Sequence, residues 1–539
     1  MKLKNNWPVI IATLVLWLVV VILLLISLKQ NQGHLVYALD DSYIHMAMAK
    51  NVAQNGTWGV TRHSFSSSSS SLLWTLLLSL DYLLFGVNET APMVINLILA
   101  TVLIWLIYGI LQKYKIIPSL KIVILISIIF FTPLYSLIFC GQEHILHTIL
   151  TVIFVYLAGK VLGDTSEDFR RGSKYRAIWL LLISPLVIMA RYEGIFLIII
   201  VCLLFFLRKK YLYSLLLGGL GALPVVIYGL ISISRGWYFI PNSILLKGNM
   251  PDFSSLKTAF FFITILGYQL VHNPQILILL LIALVVLYFQ CVKKNTIWEE
   301  RSVMLIVFIA TALLHLQFAR TNWFYRYEAY LIGLGVFVVS VSFNSYLHDI
   351  FHCKSDNKSF IRYVTLALIV IITILPLVER GLVSLMKTPR AMTNIYEQQY
   401  QMGLFLKEFY QNDVVAANDI GAINYLADIK CLDLWGLGNR RIGKTRIEGC
   451  YNTRQIYETT KSERAKIAVV YDELFNRGTV GGLPKQWIKA GQWRIFNNEV
   501  CAYDVVSFYA FNLKEAEKLK TNLKAFSSRL PKTVKQEIF

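Results

Sequence analysis

The amino-acid sequence predicts an α-helical polytopic membrane protein that carries a C-terminal α/β domain on the outer side of the membrane. Of its 539 residues, 56% are hydrophobic and only 16% are charged. The apolar residues form blocks of about twenty, which is the length needed to cross about 30 Å of hydrocarbon. From about residue 386 onward, the sequence changes to shorter runs of mixed polar and apolar residues.

The first apolar block, Pro8 to Leu28, follows a short polar segment that contains two lysines. It is long enough to span a bilayer and lacks a small-residue cleavage site, so we expect a retained anchor rather than a removed signal. Because basic residues collect in cytoplasmic loops, we expect the N-terminus to be cytoplasmic. The predicted location is the inner (plasma) membrane, with several spans.

The apolar blocks number thirteen in all. If every block crossed the membrane, the basic cluster Arg170 to Arg176 would lie outside, against the positive-inside rule. The blocks Ser71 to Phe85 and Ser255 to His272 each contain a charged residue, and we expect both to lie in the membrane surface. About 11 transmembrane helices then remain, with every basic cluster on the cytoplasmic side. This topology accounts for much of the net charge of +20, so we predict no nucleic acid partner.

Two domains follow from this pattern. Residues 1–385 form the transmembrane domain, with a first outer loop at 30–91, and residues 386–539 form a soluble extracytoplasmic α/β domain. Periodicity in the second domain predicts strands and helices at Asp413 to Asp419 (strand and turn), Ile420 to Ala427 (helix), Lys430 to Leu434, Ala465 to Val470 and Trp493 to Val506 (strands), and Leu513 to Phe526 (amphipathic helix). Cys431, Cys450 and Cys501 lie in this domain, and an outer location would permit one disulfide of open pairing.

An acidic pair, Asp40 and Asp41, follows the first span and opens a segment with helical spacing. Asp41 and His45 share one side of that helix at positions i and i+4. Either aspartate is suited to cap the helix. Either is equally suited to act as a general base toward a hydroxyl group, and the residues alone leave the choice between Asp40 and Asp41 open.

The other predicted outer loops contribute cations and polar groups. Guanidinium, ammonium, amide and hydroxyl groups bind phosphate well, so we expect a phosphate site formed by Lys247, Asn242, Ser243, Arg191, Arg320 and Arg326. Glu143 and His144 begin a span, where a carboxylate stabilises the helix end in the simplest interpretation. In a second interpretation, Glu143 and His144 bind a substrate or a divalent ion together with Asp41 and His45.

Several short motifs resemble the GT-C class of membrane glycosyltransferases, in particular the bacterial terminal arabinofuranosyltransferase-like group. They are Asp40-Asp-Ser-Tyr-Ile-His45, Gly141-Gln-Glu-His144, Arg191-Tyr-Glu-Gly194, Pro241-Asn-Ser-Ile-Leu-Leu-Lys-Gly248, Asn418 to Ile423 and Asp433 to Leu437. The resemblance follows the chain in order. It implies a GT-C-like fold, in-plane helices in the first outer loop, a polyprenyl-phosphate sugar donor, an extracytoplasmic acceptor, and an acidic residue of that loop as the base.

We therefore predict an inverting glycosyltransferase that moves a sugar, arabinofuranose or another pentose or hexose, to an extracytoplasmic glycan, lipid or protein. The expected substrate-binding residues are His45, Glu143, His144, Glu193 and Tyr43. A divalent cation (Mg²⁺, Mn²⁺ or Ca²⁺) bound by Asp41, His45 and Glu143 is a candidate cofactor. The alternative function is a transporter or flippase of lipid-linked sugars, because intramembrane charges also mark substrate pathways.

Overall fold

The computed structural model describes residues 6–163, 171–246, 256–293, 296–351, 358–476 and 480–539. The amino-terminal part of these residues is helical. Its helices are α1 (Trp7–Gln30), α2 (Asp40–Asn55), α3 (Leu72–Phe85), α4 (Ala91–Lys113), α5 (Pro118–Phe131), α6 (Leu134–Cys140), α7 (His144–Gly163), α8 (Arg171–Ala190), α9 (Gly194–Leu207), α10 (Tyr211–Ser234), α11 (Asn242–Leu245), α12 (Leu256–His272), α13 (Pro274–Tyr288), α14 (Glu300–Phe318), α15 (Ala329–Phe351) and α16 (Lys358–Ile395). Short π-helical turns, Phe289–Lys293 and Tyr396–Tyr400, extend α13 and α16.

Among the described residues, seven helices are long and apolar enough to cross a membrane. They are Trp7–Gln30, Ala91–Lys113, Pro118–Cys140, His144–Gly163, Tyr211–Ser234, Pro274–Cys291 and Glu300–Phe318. Shorter apolar helices lie at Leu72–Phe85, Gly194–Leu207, Phe262–His272 and Ala329–Phe343. Many large apolar side chains of these helices, such as Leu18 and Leu25 of α1, are exposed, as expected of a surface that faces lipid. The protein is a multi-pass membrane protein, and the number of about 11 spans stays a prediction.

The segment between α1 and α4, predicted as the first outer loop, contains two helices that contribute to the candidate site. Helix α2 begins at Asp40, after the extended residue Leu39, and is ended by Gly56, the residue after Asn55, whose φ of 63° suits a residue without a side chain. Helix α3 begins after Ser71, whose hydroxyl accepts a hydrogen bond from the Trp74 amide at 3.1 Å. The two helices pack against each other, so the start of α2 has a fixed position.

The C-terminal part contains a six-stranded mixed sheet with the strand order β2-β1-β3-β5-β4-β6. Its strands are β1 (Val414–Ala417), β2 (Lys430–Asp433), β3 (Ile467–Val470), β4 (Ile488–Arg494), β5 (Val505–Ala510) and β6 (Lys535–Ile538). The first three strands are parallel and the remaining pairs are antiparallel. The helices of this part are α17 (Gln401–Phe409), α18 (Ala422–Leu426), α19 (Arg440–Ile447), α20 (Thr453–Ser462), α21 (Asp472–Asn476) and α22 (Leu513–Phe526).

Most elements predicted for the C-terminal part agree with this sheet. The segment Trp493 to Val506, predicted as strand, instead contains the end of β4, a connecting turn and the start of β5, because polar residues interrupt it. Strand β6 was not predicted. The predicted boundary between residues 385 and 386 lies inside α16 and stays a prediction. Cys431, Cys450 and Cys501 are all free thiols in the structure.

Candidate active site

A cavity of about 430 Å³, which we call the apolar cavity, lies between the first outer loop, α8, α9 and the segments that follow α10 and α14. Most of its wall is hydrocarbon. The apolar lining residues are Ile44, Ile188, Ile195, Phe196, Val225, Phe239, Ile240, Ile244, Phe318, Ala319 and Leu437. The polar lining residues are Asp41, His45, Ser68, Ser70, Gln142, Arg191, Tyr192, Glu193, Ser243, Arg320, Arg326 and Tyr327.

A second cavity of about 360 Å³, which we call the polar cavity, lies between the start of α2, the segment after α14 and the C-terminal sheet. Carboxylates, amides and aromatic rings contribute a larger share of its wall. It is lined by Leu39, Asp40, Asp41, Ile44, Arg320, Thr321, Trp323, Arg326, Tyr327, Ile395, Gln399, Asn418, Asp419, Ile420, Trp435, Leu437, Leu474, Val500 and Ala502.

The two cavities share a wall formed around Asp41 and Arg326. Both residues line both cavities, as do Arg320 and Tyr327. Arg326 Nη2 donates to Asp41 Oδ2 at 2.5 Å, and Nη1 donates to Gln142 Oε1 at 2.7 Å. The Asp41 side chain is 28% exposed, whereas that of Arg326 is 3% exposed. Asp41 is therefore a carboxylate held in a defined position and still accessible from the cavities.

Asp40 has a different environment from its neighbour. Its two carboxylate oxygens accept hydrogen bonds from the backbone amides of Gly421 at 2.9 Å and Ala422 at 2.8 Å, at the start of α18. Burial raises the pKa of the Asp40 carboxyl to about 8, and the nearby charge of Asp419 acts in the same direction. The two amide donors oppose that shift. Asp40 thus joins the first outer loop to the C-terminal sheet.

Arg191, predicted to bind phosphate, is already paired with two carboxylates. Its Nη1 donates to Glu143 Oε1 at 2.6 Å, and Nη2 and Nε donate to the two oxygens of Glu193 at 2.6 and 3.1 Å. Glu143 is fully buried and lines neither cavity. A guanidinium with this bidentate partner and a further carboxylate has few donors left for a ligand.

Arg320 differs from the other two arginines of the predicted phosphate site. It is exposed, lines both cavities, and its side chain forms no ion pair with any residue that the structure describes. Ser243 lines the apolar cavity nearby. Asn242 does not, because its side-chain amide donates to the Gly436 carbonyl at 2.8 Å. Lys247 lies outside the described residues.

His45 lines the apolar cavity, one helical turn after Asp41. Its Nδ1 lies 3.0 Å from Thr75 Oγ1, and its Nε2 lies 3.4 Å from Ser70 Oγ and 3.7 Å from Glu143 Oε2. Burial lowers the pKa of this imidazole, although Glu143 and Asp41 oppose the shift. The predicted pairing of Asp41 and His45 on one side of α2 thus brings both to the same cavity.

Besides Glu143, two further predicted substrate-binding residues, Tyr43 and His144, line neither cavity. The Tyr43 ring is buried beside Tyr37, Tyr400 and Tyr425, and its hydroxyl oxygen accepts from the Tyr37 amide at 3.2 Å. His144 is buried, and its Nε2 lies 3.1 Å from Gln142 Oε1. Both contacts are internal to the protein, so a direct substrate contact for Tyr43 and His144 has no support in this arrangement.

The side chains proposed to bind a divalent ion do not fit one. In the described part of the chain, no group of three or more His, Cys, Asp or Glu residues is close enough to hold a metal. Asp41 is paired with Arg326 and Glu143 with Arg191, so a cation would have to displace two guanidinium groups.

Four polar or aromatic residues that the C-terminal part contributes to the polar cavity were not predicted as site residues. Asn418 and Asp419 follow β1, and Trp435 follows β2, while Gln399 precedes α17. Parallel strands β1 and β2 pair in register with Ala417 opposite Asp433, so the residues after both strands meet at one sheet edge. The signal was available, since ligands of parallel sheets bind at the carboxyl ends of the strands.

Comparisons with known proteins support the fold. A family profile described as "Domain of unknown function (DUF8728)" matches residues 393–509. No curated protein matches the sequence. The crystal structure of ArnT from Cupriavidus metallidurans bound to undecaprenyl phosphate is similar, with a TM-score of 0.51, 10% identity, and coverage of 92% of this chain and 98% of that chain.

Two archaeal structures have lower scores. The Archaeoglobus fulgidus oligosaccharyltransferase with Zn and sulfate has a TM-score of 0.48, 12% identity, and coverage of 91% of this chain and 73% of that chain. The oligosaccharyltransferase AglB of the same organism, with an inhibitory peptide and a dolichol-phosphate, has a TM-score of 0.49, 12% identity, and coverage of 88% and 70%. The predicted fold class, a GT-C-like helical membrane protein with a C-terminal sheet-containing domain, is confirmed.

Proposed function

We propose that this protein is a glycosyltransferase that moves one sugar from a polyprenyl-phosphate donor to an acceptor on the extracytoplasmic side. The observation that carries the proposal is the shared wall of the two cavities. An apolar cavity and a polar cavity meet at Asp41, Arg320 and Arg326. Transfer from a lipid to a polar acceptor requires two such compartments, with a base and a cation between them.

The apolar cavity suits the donor. A polyprenyl chain is hydrocarbon and would be buried among side chains such as Phe196, Phe239 and Phe318. Its phosphate needs hydrogen-bond donors and positive charge, which Arg320 and the Ser243 hydroxyl supply at the same cavity. The similar ArnT structure contains undecaprenyl phosphate, a ligand of this chemical kind. Lys247 stays a predicted further phosphate ligand.

We assign the role of general base to Asp41 rather than Asp40. Asp41 lines both cavities and is partly exposed, whereas Asp40 lines only the polar cavity and accepts two backbone hydrogen bonds. Asp41 takes the proton of the attacking acceptor hydroxyl as its oxygen bonds to the anomeric carbon. The bond between that carbon and the phosphate oxygen breaks, and the polyprenyl phosphate leaves as an anion stabilised by Arg320. A single displacement inverts the anomeric configuration.

The remaining predicted residues have supporting roles in this proposal. Arg326 and Gln142 orient Asp41, and Arg191 with Glu143 and Glu193 supports the wall beside His45. An arabinofuranose or other pentose or hexose as the sugar, and the arabinofuranosyltransferase-like subgroup, stay proposals from the sequence resemblance. The inner membrane, a cytoplasmic N-terminus and an outer C-terminal domain belong to the same proposal.

Activity in detergent separates the transferase from the alternative flippase. The purified full chain would be incubated with labelled undecaprenyl-phosphate pentoses and hexoses and with methyl glycoside acceptors. We expect release of undecaprenyl phosphate together with a labelled glycoside of inverted configuration. Flipping of the same donors in sealed vesicles, with no product in detergent, would identify a transporter instead.

A further inference from the structure

The polar cavity has a wall that belongs to the C-terminal sheet. More than half of its lining residues lie in the segment 393–509 that matches the domain of unknown function. Asp419 follows β1 and Trp435 follows β2, at the edge where these parallel strands end. The start of α2 forms the facing wall. The C-terminal sheet therefore completes a cavity that the membrane helices alone would leave open.

The hydrogen-bonding groups of this wall favour a ligand that donates hydrogen bonds. Asp419 Oδ2 accepts from Gln399 Nε2 at 2.9 Å and lies 2.8 Å from the Tyr471 hydroxyl. Among described residues, Asp419 Oδ1 has only a long contact of 3.3 Å, with Asn418 Nδ2. A carboxylate oxygen only accepts hydrogen bonds, so this oxygen is suited to a hydroxyl or amine of a ligand.

Aromatic rings complete the wall. Trp435 and Trp323 both line the cavity, and the Arg446 guanidinium lies 3.6 Å from the centre of the Trp435 ring. Arg446 Nη1 also donates to the Trp435 carbonyl at 2.6 Å. This cation–π contact and hydrogen bond fix the indole in one orientation. The Trp435 indole offers an apolar surface in the same cavity as the Asp419 carboxylate.

The charges around the cavity balance one another, which favours a neutral ligand. Asp41 and Asp419 contribute carboxylates and Arg320 and Arg326 contribute guanidinium groups, while Asp40, whose pKa is raised to about 8, holds a proton at neutral pH. A neutral, polyhydroxylated molecule satisfies the acceptor oxygens without bringing further negative charge.

We propose that the C-terminal sheet forms the acceptor site, that the acceptor is a neutral sugar, and that Asp419 and Trp435 select it. The inference rests on the proposed function, since it assigns the second substrate of that reaction. Asp419 is a positioning residue: its Oδ1 accepts a hydrogen bond from one acceptor hydroxyl, so that another hydroxyl lies next to Asp41. Trp435 packs on the apolar face of the sugar ring.

The first experiment measures binding without catalysis. A methyl glycoside that carries a diazirine would be photolysed with the full chain, and the labelled peptides mapped by mass spectrometry. We expect labels near Asp41 and between Asn418 and Leu437, with labelling efficiency at limiting glycoside reduced roughly 10- to 100-fold in Asp419→Asn and in Trp435→Ala. Asp413→Asn, at the opposite end of β1 and paired with Lys466, is the matched control and keeps full labelling.

The second experiment separates acceptor binding from chemistry. In Asp419→Asn we expect the KM for the methyl glycoside to rise roughly 10- to 100-fold, as for labelling. Slow hydrolysis of the donor by water and binding of undecaprenyl phosphate should be unchanged, because neither involves the acceptor sugar. Equal labelling of wild-type protein and both variants, or labelling of this wall by a photoreactive peptide instead of the glycoside, would overturn the inference. Site-specific glycoside labelling without transfer from any donor would support the sugar site while refuting the proposed reaction.

Discussion

Asp41 and Arg326 form an ion pair, with 2.5 Å between Oδ2 and Nη2, although 285 residues separate them in the chain. The pair stands where the apolar and polar cavities meet. It joins the first outer loop to the segment between α14 and α15. The carboxylate and the guanidinium therefore face both cavities.

Arg320 is expected to bind the donor phosphate. We predict that Arg320→Ala raises the KM for a polyprenyl-phosphate sugar roughly 10- to 100-fold, because a charged hydrogen bond is lost. Arg320→Lys should recover part of that loss, since it restores the charge but not the bidentate geometry. Steady-state kinetics with varied donor would measure both, with exposed Arg235→Ala as the control. An unchanged donor KM in Arg320→Ala would refute this role.

Arg191 is expected to stabilise the fold instead of binding a substrate. Its removal leaves Glu143 and Glu193 without their cation in a buried position, which costs roughly 3–5 kcal/mol of folding stability. Arg191→Ala should therefore unfold at a lower temperature in a thermal melt in detergent. Arg454→Ala, which removes only an exposed helical ion pair, should melt like wild type. A wild-type melting temperature for Arg191→Ala would contradict the structural assignment.

The Asp40 carboxyl gives stability a pH dependence of predictable sign. Its pKa is raised by burial to about 8, so the folded protein holds a proton that the unfolded chain releases. The resulting stabilisation is complete below the ordinary pKa of aspartate and is lost as pH rises through about 8. Between about pH 6 and about pH 9, the melting temperature of wild type should fall more than that of Asp40→Asn. If the melting temperatures of wild type and Asp40→Asn fall equally over this pH range, Asp40 does not titrate in this way.

Gly421 allows the close approach of α18 to α2. A Cβ atom at this position would overlap the Asp40 carbonyl oxygen and lie 2.7 Å from its carboxyl carbon. We predict that Gly421→Ala lowers the free energy of unfolding by roughly 1–3 kcal/mol and loosens the polar cavity. Gly109→Ala is the control, because nothing lies within 4 Å of a Cβ there. Chemical denaturation would measure the free energy of unfolding of both variants. Equal values for Gly421→Ala and Gly109→Ala would exclude a tight contact at Gly421.

The sequence predicted those features that depend on local pattern. Helix α22 follows from the spacing of Leu519, Leu523 and Phe526, and strands β1 and β2 follow from short apolar runs that end in polar turns. Asp41 and His45 could be assigned to one side of α2 because helical geometry fixes positions i and i+4. The acidic pair could therefore be recognised as a candidate site without the structure.

Long-range pairing could not be predicted in the same way. Arg191 is neutralised by Glu193, two residues away in the chain, and by Glu143, 48 residues away, whereas Arg320 is available to a ligand. Likewise, Asp40 and Asp41 differ in function only because α18 of the C-terminal part donates its amides to Asp40. The Glu143 partner of Arg191 and the Gly421 amide that binds Asp40 lie 48 and 381 residues away in the chain, and a single sequence does not specify such contacts.

The most direct measurement of the central claim is the transfer rate of Asp41→Asn at saturating donor and acceptor. Asparagine keeps the shape of the side chain but cannot take the acceptor proton, so we predict a kcat lowered by roughly 10²- to 10⁴-fold. Asp428→Asn, which alters an acidic partner of Lys50 on the same helix, should keep the wild-type kcat. An Asp41→Asn enzyme that transfers sugar at the wild-type rate, with the same donor KM, would contradict the proposed mechanism.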